Sequence, residues 1–182
     1  EDLRTLSLAE AGQLPMTWEP VDVAELLADV GVSFGGLAEA AGLTLTVTSA
    51  PGLTLTGDAG RLDQVLGNLV ANALRHTPRG GAITLRAEPL SLADGRRAVR
   101  IIVSDTGEGI AAADLPYIFD RFWRGDRART RADGAGSGLG LAIARQLVLA
   151  HAGSITVEST AGRGTVFTLD LPLDPTPRPD RA

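Results

Sequence analysis

The stretch DAGRLDQVLGNLVANALRHTP, residues 58–78, carries the pattern from which the fold can be read outward. Leu62, Val65, Leu66, Leu69, Val70, Ala73 and Leu74 recur at steps of three and four, which predicts one broad buried helix face. Asp58 can accept from the free amides of a first turn, and Thr77-Pro78 cannot continue a helix. The helix is therefore expected over 58–76. Asn68 and Asn72 are four apart and project side by side at the edge of the buried face, with Arg75 and His76 one turn further on. Asparagine is a poor interior helix residue because its amide competes for backbone hydrogen bonds. Two readings stay open: a pair of satisfied border amides, or a row of neutral oxygen and nitrogen groups facing a ligand. A side-chain carbonyl of this kind can complete an oxygen shell around magnesium.

On the N-terminal side, residues 1–12 have a helical apolar spacing and read as the end of a helix that begins upstream. An extended piece leads to a helix over about 23–41. LTLTVTS (43–49) alternates as a strand, with LTLTG (53–57) a second strand after the Pro51-Gly52 turn. On the C-terminal side, AITLRAE (82–88) and AVRIIVSD (98–105) are strands around a turn-rich connection. Residues 106–138 form a long Gly-, Arg- and Asp-rich segment with one short helical patch near 115–122, and loops of that length are commonly functional. A helix over 139–153 and a closing hairpin, 154–160 with 165–172, complete the domain, and the Pro-rich residues 174–182 read as a disordered tail. The order implies an α+β fold: a mixed sheet with helices on one face.

Composition narrows the chemistry. The 182 residues are 44% hydrophobic and 21% charged, enough for one domain with a sizeable core. A net charge of -5 does not suit a nucleic-acid surface. All 17 basic residues are arginine, so P-loop and Schiff-base lysines are excluded; the absence of cysteine excludes thiol catalysis and disulfides. Neither a signal-peptide pattern nor an uninterrupted apolar span of membrane length occurs in the sequence.

Three further stretches carry chemistry. VSDTGEGI (103–110) ends an apolar run on Asp105 and follows it with Gly107 and Gly109, either a routine turn or a carboxylate held for a ligand. In GAGSGLGLAIA (134–144), glycines at 134, 136, 138 and 140 run into an apolar helix. Such a segment is either a hinge with close helix packing or a phosphate cradle of exposed amides at a helix start. YIFDRFWRGD (117–126) holds four of the seven aromatics with Arg121 and Arg124. Phe119 and Phe122 suit a hydrophobic anchor for the loop, whereas a guanidinium suits the edge of a phosphate site.

Taken in order, LDQVLGNLVANALRHTP, DTGEGI, IFDRFWRGD and GSGLGLAIARQLVLAHAGSI closely resemble the catalytic and ATP-binding domain of bacterial sensor histidine kinases, of the GHKL superfamily, over about residues 22–172. The resemblance implies a two-layer α+β sandwich of the Bergerat type: a mixed, mainly antiparallel sheet under three helices, with a mobile ATP lid over 106–138. It implies that Asp105 accepts from the adenine amine, which a carboxylate distinguishes from guanine's carbonyl. Gly107 and Gly109 would let the base lie close to backbone, and Ile110 would line its pocket. Asn72 would ligate Mg2+ beside Asn68, Arg75 would lie near phosphate, and His76 near adenine. Arg124 would reach the γ-phosphate, and Gly136, Ser137, Gly138, Leu139 and Gly140 would close the phosphate end. Asn72 and Arg124 are then the catalytic pair.

The family's phosphoacceptor histidine has no counterpart: neither His76 nor His151 stands in an H-[ED]-L-R-T-P context. The expectation is therefore a catalytic domain over 14–173, preceded in 1–13 by the end of a dimerisation helix and linker. It would bind ATP and ADP with Mg2+, phosphorylate a histidine-bearing dimerisation domain and serve relay to a response regulator. The parent would be a homodimeric, membrane-anchored sensor with a cytoplasmic kinase core. The alternatives are an ATP-driven clamp of the same superfamily and a nucleotide-binding module without kinase activity.

Overall fold

The helix expected from residues 58–78 forms over Ala59–His76. Asp58 caps it, accepting from the Arg61 amide at 3.0 Å and, through its second oxygen, from the Thr17 amide at 2.8 Å. The computed structural model describes residues 2–123 and 137–175. In chain order these form α1 (Asp2–Glu10), β1 (Glu19–Asp22), α2 (Val23–Ala40), β2 (Thr44–Ser49), β3 (Thr54–Gly57), α3 (Ala59–His76), β4 (Ala82–Ser91), β5 (Arg97–Asp105), a 3-10 turn (Leu115–Tyr117), α4 (Gly140–Ala150), β6 (Ser154–Thr160) and β7 (Gly164–Pro172).

Five strands make one sheet in the order β2-β4-β5-β7-β6, with β2 parallel to β4 and every other pair antiparallel. Strand alternation divides its faces. Ile83, Leu85, Val99, Ile101, Val103, Phe167, Leu169 and Leu171 point one way and are buried. The opposite face carries polar pairs such as Arg100 and Asp170, joined by two hydrogen bonds of 2.8 and 2.9 Å. The helices cover the apolar face, contributing Leu27 and Val30 from α2, Leu62 to Ala73 from α3, and Ile143, Leu147 and Val148 from α4. This is the expected two-layer α+β sandwich.

Two details differ from expectation. The helix layer has four members rather than three, because α1 packs along α4 with Leu6 1% exposed. The strand expected after Pro51-Gly52 forms as β3 and pairs antiparallel with β1. Parallel pairing of β2 with β4 leaves β2 and β3 on different sheets. The helical patch expected near 115–122 shrinks to one 3-10 turn, opened by Pro116 and followed by Phe122 at φ 60.

The sheet topology brings one end of β5 to the C-terminal turn of α3. Asp105 closes β5, opposite Ile83 on one side and Thr165 on the other. Thr106 continues the register, its amide donating to the Ala82 carbonyl at 3.1 Å.

Candidate nucleotide site

Asp105 is 9% exposed, and its Oδ1 accepts from the Gly107 amide at 2.8 Å. Burial pushes its carboxyl above the usual range, while the Gly107 and Thr165 amides and the neighbouring His76 pull the other way. The two glycines of the box are required by the chain's own backbone. A Cβ on Gly107 would lie 2.5 Å from the His76 carbonyl oxygen, and one on Gly109, at φ 68, would lie 2.1 Å from that of Thr160. The box is thus pressed between the end of α3 and the β6–β7 turn. His76 closes this contact twice: its carbonyl accepts from the Glu108 amide at 3.1 Å, and its Nδ1 lies 2.8 Å from Glu108 Oε1. Ile110 packs against the core and donates its amide to Ser159 Oγ at 2.8 Å.

The two asparagines separate in role. Asn68 Nδ2 donates to the Gly140 carbonyl at 3.0 Å, tying α3 to the first turn of α4. The half-buried Asn72 amide has no hydrogen-bond partner among the described residues. It sits about one turn, or ~5.4 Å along the axis, before His76. Among the described residues no cluster of three histidines or carboxylates could hold a metal. The Asn72 side-chain oxygen is of the kind that suits a hard cation whose other ligands are phosphate and water. Thr77 Oγ1, next in sequence to His76, is buried without a partner among the described residues.

At the same end of α3, Arg75 is exposed in the last turn beside His76. Gly138, at φ 72, faces Phe122, whose amide donates to the Gly138 carbonyl at 3.0 Å. Leu139 is buried, and its amide donates to Ser137 Oγ at 3.3 Å. Arg124 and Gly136 lie outside the described residues. The aromatic box divides. Phe119 anchors the loop, edge-on to Phe167 at 6.2 Å and under Arg145 at 5.8 Å. Phe122, expected to join it, is 59% exposed because its left-handed backbone turns the side chain out. Arg121 forks onto the Glu10 carboxylate of α1 rather than standing free for phosphate.

Sequence reasoning missed Glu108, Ser159 and Thr165, which bind the box from within and from β6–β7. Their only sequence signal is proximity to the glycines, since hydroxyls are ordinary in strands.

A profile of the family described as histidine kinase-, DNA gyrase B-, and HSP90-like ATPase matches residues 57–175. The chain is 37% identical over 94% of its length to the sensor histidine kinase RppB of Synechocystis, and 36% identical over 96% to the signal transduction histidine-protein kinase BaeS of Escherichia coli. It spans 37% and 36% of the lengths of these curated relatives. Among solved structures it is similar to the histidine kinase AdeS of Acinetobacter baumannii, with a TM-score of 0.74 and 27% identity, covering 94% of this chain and 75% of that one. It is also similar to full-length ShkA in complex with AMPPNP, with a TM-score of 0.78 and 32% identity, covering 100% of this chain and 36% of that one.

Proposed function

The chain belongs to the family of histidine kinase-, DNA gyrase B- and HSP90-like ATPases, and we propose that it is the ATP-binding catalytic domain of a sensor histidine kinase. The observation that carries this reading is the buried Asp105 carboxylate, held by the Gly107 amide where the 105–110 box meets the C-terminal end of α3, the helix that also carries Asn72. The carboxylate suits the adenine amine and the amide oxygen suits Mg2+. That the similar ShkA was crystallised with AMPPNP supports an adenine nucleotide. Similarity to histidine kinases along most of the chain favours transfer over an ATP-driven clamp.

On this reading the domain binds Mg-ATP, Arg75 and the segment 136–140 face the phosphates, and Arg124 meets the γ-phosphate. Transfer breaks the bond from the γ-phosphorus to the ADP oxygen and forms one to an imidazole nitrogen of a separate dimerisation domain. The phosphoryl group then passes to a response regulator. Among the described residues no helix is long and apolar enough to cross a membrane; we place the domain on the cytoplasmic side of a homodimeric, membrane-anchored sensor.

The test is incubation with γ-labelled ATP, alone and with a histidine-bearing dimerisation domain, read on a gel that preserves acid-labile phosphate. Label only on the added domain is the expected outcome, because no positioning by an ATP site replaces a missing nucleophile. Label on this chain that disappears when His76 or His151 is changed would overturn it.

A further inference from the structure

The β6–β7 turn grips the 105–110 box at four points. The Gly162 amide donates to the Glu108 carbonyl at 2.7 Å, and the Ile110 amide donates to Ser159 Oγ at 2.8 Å. Gly109 lies against the Thr160 backbone, and a Cβ on Gly164 would lie 2.0 Å from the Asp105 carbonyl oxygen. Ser159 is the one side chain in this set. Its half-buried hydroxyl also lies 2.8 Å from the Gly164 carbonyl and 2.9 Å from Thr165 Oγ1.

A serine hydroxyl has one proton and two acceptor sites. Here it accepts from Ile110, donates to Gly164 and accepts from Thr165, which exhausts its capacity. Thr165 in turn stands directly opposite Asp105 in the sheet. One hydroxyl therefore joins the two ends of the box, Ile110 directly and Asp105 through Thr165.

We propose that Ser159 is a positioning residue for the base: its hydroxyl sets the spacing between the Asp105 carboxylate and Ile110, and through it the discrimination between adenine and guanine nucleotides. This rests on the nucleotide reading above. Ser159 itself touches no ligand. A purely architectural serine would, when removed, weaken every ligand alike. A positioning serine weakens the adenine nucleotide selectively, since the α3 and α4 residues assigned to the phosphates do not contact it.

The experiment compares wild type, Ser159→Ala and Ser159→Thr by calorimetric titration with Mg-ATP and Mg-GTP, alongside amide hydrogen exchange at Ile110 without nucleotide. Ser159→Ala should raise the ATP dissociation constant about tenfold, the scale of one lost buried hydrogen bond, and shrink the ATP-to-GTP preference by a similar factor. Exchange at Ile110 should accelerate, and Ser159→Thr, which keeps the hydroxyl, should restore all three readings. An unchanged ATP-to-GTP ratio in Ser159→Ala overturns the proposal, as does failure of the threonine to rescue it. Failure of the underlying reading looks different: wild type would then bind neither nucleotide, and both inferences would fall.

Discussion

Asp105 shows how a functional residue is held against its own stability. A carboxylate out of water loses hydration, and one amide bond from Gly107 offsets only part of that loss. Because burial dominates, the folded protein binds the Asp105 proton more tightly than the unfolded chain. In ligand-free protein the contribution of this group therefore falls as pH rises from the unfolded value through the folded one, and the liability is fully present above the folded value. Asp105→Asn keeps an oxygen for the Gly107 amide and removes the charge. We expect its melting temperature without nucleotide to equal or exceed wild type at pH 7, with a smaller advantage at pH 4. ATP affinity should fall at least about tenfold, because the carboxylate that receives the adenine amine is gone. A variant less stable than wild type at both pH values would contradict this account of the buried charge.

At the scale of elements, α3 joins the base end to the phosphate end through two asparagines that sequence spacing alone made equivalent. The structure makes them unequal. Asn68→Ala removes a part-buried bond to Gly140 and should lower the melting temperature by roughly 1–6 °C, from about 0.5–1.5 kcal/mol in a domain of this size. Asn72→Ala removes a half-buried amide that has no hydrogen-bond partner among the described residues; the melting temperature should hold while Mg-ATP affinity drops about tenfold or more. Calorimetry and thermal melts on both variants check the pair, and the reverse pattern would exchange their roles. The helix itself was legible because its cap, periodic face and Pro stop all lie within residues 58–78 and agree. The hairpin of β6 and β7 was legible for the same local reason. The partners of β2 and β3 were not, since an alternating strand fits any neighbour with a buried face and long-range pairing decides. Nor could spacing reveal that Gly107 and Gly109 answer to His76 and Thr160, which lie about 30 and 50 residues to either side of them in sequence. The orientation of Phe122 depends on one backbone angle, which its apolar side chain does not announce.

Across the whole molecule, His151 binds together segments far apart in sequence. It is 2% exposed; its Nδ1 donates to the Leu147 carbonyl at 2.7 Å, and its Nε2 accepts from the Asp58 amide at 3.0 Å. The Trp18 ring meets it edge-on at 5.5 Å. The end of α4, the start of α3 and the approach to β1 thus share one neutral imidazole. A second ring proton would point at the Asp58 N–H and exchange an acceptor for a repulsive donor. Burial accordingly lowers the His151 pKa, although the Leu147 carbonyl and the Asp58 carboxylate oppose the shift. The unfolded chain takes up its proton near about pH 6.5, while the folded protein resists until lower pH. Between those values the unfolded state binds more protons, so stability is level above about 6.5 and declines as pH falls, by at most about 1.4 kcal/mol per pH unit. His151→Gln retains an acceptor for the Asp58 amide but does not titrate. It should be less stable than wild type at pH 7.5, having lost the Leu147 bond, and the gap should narrow steadily toward pH 5.5. Thermal melts of both proteins across that range isolate this residue, because every other titrating group is common to the two. A gap that stays constant would mean that the charge change lies elsewhere and that His151 is a packing residue alone.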